Sequence, residues 1–343
     1  VLYYAVGVTR PRLVSTLLEA KANPDVVSVK GYVALHYAAQ QGFLYIVDLL
    51  VQHSAELDAK APNGYTPLLL AAEAKRWEVA LFLLKAGANP DVALPGGQTA
   101  LLFAAEHGSD AFVKLALKKK ADPDPISEGQ WRPLLAAARN GYVEIAQLLI
   151  SAGAAINAND EQTPLMAAAA FGHTPVVDLL IANGAIVDLP KRDGLTALMA
   201  AAQEGQTDTA KILLMAGATV DIATPADWTA LLIAAKNGHY EMAKILLDAN
   251  ANANQSDNQG ATALWFAAEN GDQASDVVEL LLKSGAKPDT RFDGYTPLHA
   301  ATQKGHGDIL SLLLEGGALV DAQLHDGTTP LFFPVSNNDH EIL

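Results

Sequence analysis

Nine histidines are the side chains of this sequence best suited to proton transfer or metal ligation, and their spacing argues against both roles. His36 and His299 close a recurring four-residue box, while His173, His239 and His306 each follow a recurring glycine. Placement that repeats with the period of the chain assigns these residues to the framework. His53, His107, His325 and His340 form no H-x-x-x-H or H-E-x-x-H pair, the spacing that sets two ligands on one helical face. Cysteine is absent, so disulfides, thiolate nucleophiles and thiolate metal sites are excluded. There is no phosphate-cradling G-x-x-x-x-G-K-S/T loop and no G-x-S-x-G nucleophile elbow. The carboxylates are mostly periodic turn formers. Asn254-Gln255-Ser256 has the form of a glycosylation sequon, but Asn254 is the turn residue of its segment and is read as unmodified. The expectation is a chain without catalytic residues, bound metal or cofactor, and therefore not an enzyme.

Charge narrows the partners. Lys and Arg number 23 against 38 Asp and Glu, a net charge of −15. Nucleic-acid binding needs cations to neutralise phosphates, so it is excluded on sign. The one basic run, Lys118-Lys119-Lys120, closes an expected helix and opposes the negative end of its dipole. No apolar run is long enough to insert into a membrane. The opening Val1-Leu2-Tyr3-Tyr4 lacks the basic flank of a secretory signal. With no cysteine, this points to a reducing interior, the cytoplasm, with the nucleus left open.

What positions these residues is a repeat. Threonine recurs at Thr66, Thr99, Thr163, Thr196, Thr229, Thr262, Thr296 and Thr329, with Val33 and Arg132 in the same slot of two degenerate copies. Successive slots lie 33, 33, 33, 31, 33, 33, 33, 34 and 33 residues apart. A constant period in this range means stacked units, not one closed core. Within a unit, Thr66 is a helix N-cap and Pro67 suits the first helical position. A short helix follows, with Ala71 and Ala72 permitting close approach. A second helix carries the buried stripe Val79, Ala80, Leu83, Leu84 and ends at Gly87. Asp or Asn comes four residues later (Asp58, Asp91 and Asn157 among them) and opens a polar, hairpin-like finger. Helices this short are marginal alone and must bury their stripes on neighbours.

These residues resemble the ankyrin repeat. Gly294-Tyr295-Thr296-Pro297-Leu298-His299-Ala300-Ala301 matches its signature almost letter for letter. The resemblance spans the chain and implies an all-α solenoid of helix-turn-helix units with hairpin-like fingers. It divides the sequence into a partial repeat over 1–25, nine full repeats over 26–321 and a partial repeat over 322–343. Both ends open or close inside a unit, and the initiator Met is absent. The expectation is one array that is part of a longer protein, with flanking domains or subunits covering both ends. Three places depart from the pattern. The finger between Asn157 and Thr163 is two residues short, Asp272 to Asp276 carries two extra residues between helices, and the finger after Asp289 is one residue short. Lys75 and Lys120 stand where glycine would relieve left-handed strain.

The resemblance also implies where a partner would sit: the fingers and first helices line a groove. One residue before the slot, the chain places Tyr32, Tyr65, Trp131, Trp228 and Tyr295 in five of nine repeats, although only 6% of its residues are aromatic. Such residues serve equally as interface anchors or as packing for the next finger, and the sequence leaves both open. Seven and eight residues after the slot the row is polar and mixed, with Phe171 its one large apolar member. The expected partner is a protein with a basic contact surface, its hot spot near Trp131 and Phe171. Two roles fit: a free-standing recognition scaffold, or the targeting or regulatory part of a larger enzyme, channel or effector.

Overall fold

A computed structural model of the chain describes residues 1–125, 131–158, 161–271 and 274–332. The described residues form 20 helices and no extended strand. The helices come as pairs, a first helix of seven or eight residues followed by a second of nine or ten in every pair but the one at the N-terminus. The chain divides into two compact units, Val1–Ala158 and Asn159–Leu343. The first runs from the pair Leu2–Gly7 and Pro11–Glu19 to the pair Pro133–Asn140 and Val143–Ser151. The second runs from Pro164–Ala170 and Thr174–Ala182 to Pro297–Lys304 and Gly307–Glu315. Their boundary falls in the finger that is two residues short. Asn159 and Asp160 of that finger lie outside the described residues, as do Asp272 and Gln273 of the expected insertion.

The slot residue starts each first helix as its chemistry requires. The hydroxyls of Thr66, Thr99, Thr163, Thr196, Thr229, Thr262 and Thr296 accept from the amide three residues on, at 3.1–3.4 Å. This satisfies a donor that the first turn leaves unpaired. The degenerate slots make no such cap and are held by other contacts. The Val33 amide donates to Nδ1 of His36 at 3.1 Å, and the Arg132 guanidinium pairs with Asp124. Burial pushes the Asp124 carboxyl up despite that partner.

Small residues let the first helices of a unit close on one another. In the first unit Ala71, Ala72, Ala104, Ala105, Ala137 and Ala138 have no exposed surface. In the second, Ala168, Ala169, Ala201, Ala202, Ala234 and Ala235 are as deeply buried. The predicted stripe of the second helix, Val79, Ala80, Leu83 and Leu84, is likewise in the core.

Hydrogen bonds between neighbouring repeats carry the register. The turn-forming aspartates do more than open a finger. Asp25 accepts the amide of Glu56, Asp91 that of Asp122, Asp188 that of Thr219 and Asp221 that of Asn252, each 31 residues on, at 2.9–3.1 Å. His36 Nε2 meets the carbonyl of Tyr65 in the next finger at 3.0 Å. With Nδ1 accepting and Nε2 donating, the ring is neutral. His239 reaches the opposite way, its Nε2 3.1 Å from the carbonyl of Gln203, where the preceding first helix ends. Gly205 beneath it has φ 66°, and a Cβ there would stand 3.1 Å from that imidazole. The mid-repeat glycine is thus required twice, by its backbone and by the neighbour above it.

Where glycine is missing, the left-handed conformation is kept: Lys75 has φ 58°, Lys120 65° and Asn250 65°. The fingers are reverse turns with isolated bridges, such as Ala93 to Thr99 and Ser256 to Thr262. In most, an amide donates to the carbonyl four residues on, as Ala61 does to Tyr65. The finger that is one residue short closes instead as a two-residue hairpin. Phe292 and Tyr295 exchange both bonds at 2.9 and 2.8 Å, and Asp293 and Gly294 have φ of 48° and 84°. An Asp-Gly pair is suited to two consecutive positive φ values.

Candidate functional site

The residue before the slot and the residue seven after it belong to one surface. The finger delivers the first and the end of the first helix delivers the second. In the first unit Tyr65 donates its hydroxyl to Glu73 Oε1 at 2.6 Å. Burial, then this bond to a carboxylate, pushes the Tyr65 hydroxyl up to about 12. Trp131 takes a cation at the same spacing, with the Arg139 guanidinium carbon 5.2 Å from its ring centre. In the second unit Lys236 Nζ stands 4.7 Å from the ring centre of Trp228. The pairings follow the ring chemistry: an indole face attracts cations, and a phenol donates to an anion.

The expected site residues differ in how they are held. Trp131 is 38% exposed and Phe171 49%. Trp131 belongs to the first unit and Phe171 to the second, where its ring stacks beside His173 at 6.3 Å. Tyr32, Tyr65, Trp228 and Tyr295 are half-buried. Tyr32 and Tyr295 each stand edge-on to the histidine of their own box, His36 at 5.5 Å and His299 at 5.9 Å. Packing and presentation are therefore combined in these four.

The second unit holds an aromatic cluster that the finger row alone does not reveal. Trp228 packs on Phe266 at 4.9 Å, Phe266 on Trp265 at 5.5 Å, and Trp265 on Phe292 at 4.4 Å. Trp265, Phe292 and Tyr295 line a cleft of about 240 Å³, with Glu269, Asp293, Gln303 and Lys304 among its other walls. The chain of rings thus runs from Trp228 to Phe292, whose two-residue hairpin also carries Tyr295. The signal was in the sequence. Leu264-Trp265-Phe266 puts two large rings where most other repeats place Leu, Met, Ala or Ile, as in Leu198-Met199-Ala200, although His36, Tyr37, Phe103 and His299 are rings at the same positions.

Among the described residues, no group of three or more His, Cys, Asp or Glu side chains could hold a metal ion. No helix there is long and apolar enough to cross a membrane.

Comparison with known proteins bears on the repeat and its fold. The family described as "Ankyrin repeats (3 copies)" matches residues 2–93, 86–160, 153–224, 217–292 and 275–343. An ankyrin repeat-containing protein of Schizosaccharomyces pombe is 45% identical over 62 residues, 18% of this chain and 30% of that one. Human BCL-6 corepressor-like protein 1 is 40% identical over 70 residues, 20% of this chain and 4% of its own. Protein fem-1 homolog A of Bos taurus is 51% identical over 47 residues, 13% of this chain and 7% of its own. The matched segments are thus a minor part of each of these relatives. The crystal structure of the human ASB11 ankyrin repeat domain superposes with a TM-score of 0.55 at 30% identity, covering 59% of this chain and 91% of that one.

Proposed function

This chain belongs to the ankyrin-repeat family, and from that premise we propose that it is a non-catalytic scaffold that captures a partner protein on its fingers and first helices. Repeats of this family are protein–protein interaction modules. The observation that carries the finer reading is the pairing between finger and helix. Arg139 lies over Trp131 and Lys236 over Trp228, so each of these large amphipathic side chains of the fingers is braced by a cation from the first helix. Anchors fixed before binding lose little entropy when a partner arrives. The net charge of −15 favours a partner whose contact surface is basic. The same reading places the chain inside the cell.

The test begins with affinity capture and mass spectrometry to identify the partner, followed by its titration against variants. Trp131→Ala and Trp228→Ala should each weaken binding by about fivefold or more, the loss expected of an interface anchor. Helical circular dichroism should be unchanged. Partner affinity that is the same for both variants and for Phe171→Ala would reject the proposed surface.

A second reading, a targeting or regulatory segment of a larger enzyme, channel or effector, is favoured by one observation. The matched segments make up only 30%, 4% and 7% of the relatives that carry them. The full reading frame decides between the two.

A further inference from the structure

We propose that the cleft between the Thr262 and Thr296 repeats is a subsite for one arginine side chain of a protein partner, an assignment that rests on the groove being a recognition surface. Its volume of about 240 Å³ is below the usual range for small-molecule sites. It suits a single side chain.

Three of its lining residues are rings, Trp265 the deepest at 9% exposure. Trp265 and Phe292 stand 4.4 Å apart at 55°, and Tyr295 completes the lining. An adjoining part of the same cluster already holds a cation, since Lys236 Nζ lies 4.7 Å from the Trp228 centre and 5.7 Å from that of Phe266. Seven residues after the slot, the Arg132 and Thr229 repeats supply their own cations, Arg139 and Lys236. The repeats that flank the cleft place Glu269 and Gln303 there instead. A ring surface that elsewhere carries a built-in cation is bordered here by a carboxylate.

Charge around the cleft agrees. Glu269 and Asp293, both exposed, line it against the single ammonium of Lys304. Arg291 in the same finger is committed elsewhere, its Nη1 donating to the carbonyls of Gly294 and Gln323 at 2.9 Å each. An incoming guanidinium would lay its plane on the rings and direct its N–H donors at a carboxylate, a combination that an ammonium cannot match.

The test is an NMR titration of the intact chain with N-acetyl-arginine methylamide, read at the indole N–H resonances. The chain has four tryptophans, so Trp265→Phe identifies the relevant signal. The Trp265 resonance should shift saturably, with a millimolar dissociation constant. The neutral isostere N-acetyl-citrulline methylamide should leave it in place. Glu269→Gln should weaken the arginine probe by about threefold and Lys304→Gln should strengthen it by about twofold, the scale of exposed ion pairs. Both residues are exposed, so the fold is retained, and unchanged thermal melting verifies this. An absent or unsaturable shift, an equal response to citrulline, or indifference to Glu269→Gln would overturn the assignment. Any of these would leave recognition by the rest of the groove standing, because that is read separately from the partner titrations with Trp131→Ala and Trp228→Ala.

Discussion

A buried imidazole that must stay neutral makes the fold sensitive to acid. The rings of His36 and His299 have no exposed surface, and burial lowers both pKa values from the ordinary 6.5. Nδ1 of His36 accepts an amide proton, which a protonated ring could not do. The unfolded chain takes up a proton near 6.5 while the folded chain resists. Stability is therefore full above 6.5 and declines as pH falls below it, by at most about 1.4 kcal/mol per pH unit for each ring. Lowering pH from about 7.5 to about 5.5 should reduce the thermal midpoint of the native chain. The double variant His36→Gln/His299→Gln should start lower and lose less over the same interval. A drop of equal size in both proteins would show that these rings do not carry the effect.

At the scale of one helix pair, the strain sits where glycine is missing. Lys120 ends the helix Asp110–Lys118 with φ 65°, a region that a side chain enters at a cost of about 1–2 kcal/mol. Glycine enters it freely but gains freedom in the unfolded chain. Lys120→Gly should therefore raise stability by about 0.5–1 kcal/mol, measured as the urea midpoint. Asn250→Gly, at the same φ, should change it by only a few tenths of a kcal/mol, because asparagine tolerates this conformation. These positions were legible in the sequence because a cap, a stripe and a terminating glycine are local features fixed by helix geometry. The staple from Asp25 to Glu56 was not, since nothing near Asp25 specifies an amide 31 residues away. Nor was the half-burial of Tyr32 and Tyr295. A ring before the slot reads alike whether it faces solvent or its own histidine, and only the turn of the finger decides. The aromatic cluster escaped for a related reason: three residues after the slot stand Leu, Met, Trp or His in different repeats, so the period sets neither size nor kind there, and Trp265 and Leu232 read as equivalents.

For the molecule as a whole, the surplus of acid is the most far-reaching property. A net charge of −15 sets up a field that would guide a partner with the proposed basic surface inward before any contact forms. Raising salt from about 0.05 to about 0.5 M shortens the reach of that field several-fold. Association should slow by about tenfold or more, while dissociation changes far less. Stopped-flow or biosensor rates at the two salt levels check this, and an unaltered association rate would count against a basic contact surface. Stability follows another logic. Within each unit a repeat leans only on its neighbours, so a lesion weakens the adjoining pairs first.

The carboxylate staples have a consequence for how such a protein can change over time. Each acceptor meets a main-chain amide, a bond that residues of different kinds can supply, although Thr219 adds its own hydroxyl to Asp188 at 2.7 Å. Glu56, Asp122, Thr219 and Asn252 all serve, and only proline, which has no amide proton, is forbidden. Ancestry can thus rewrite the residues at these joints, and with them the chemistry on display, while the stacking lattice stays intact.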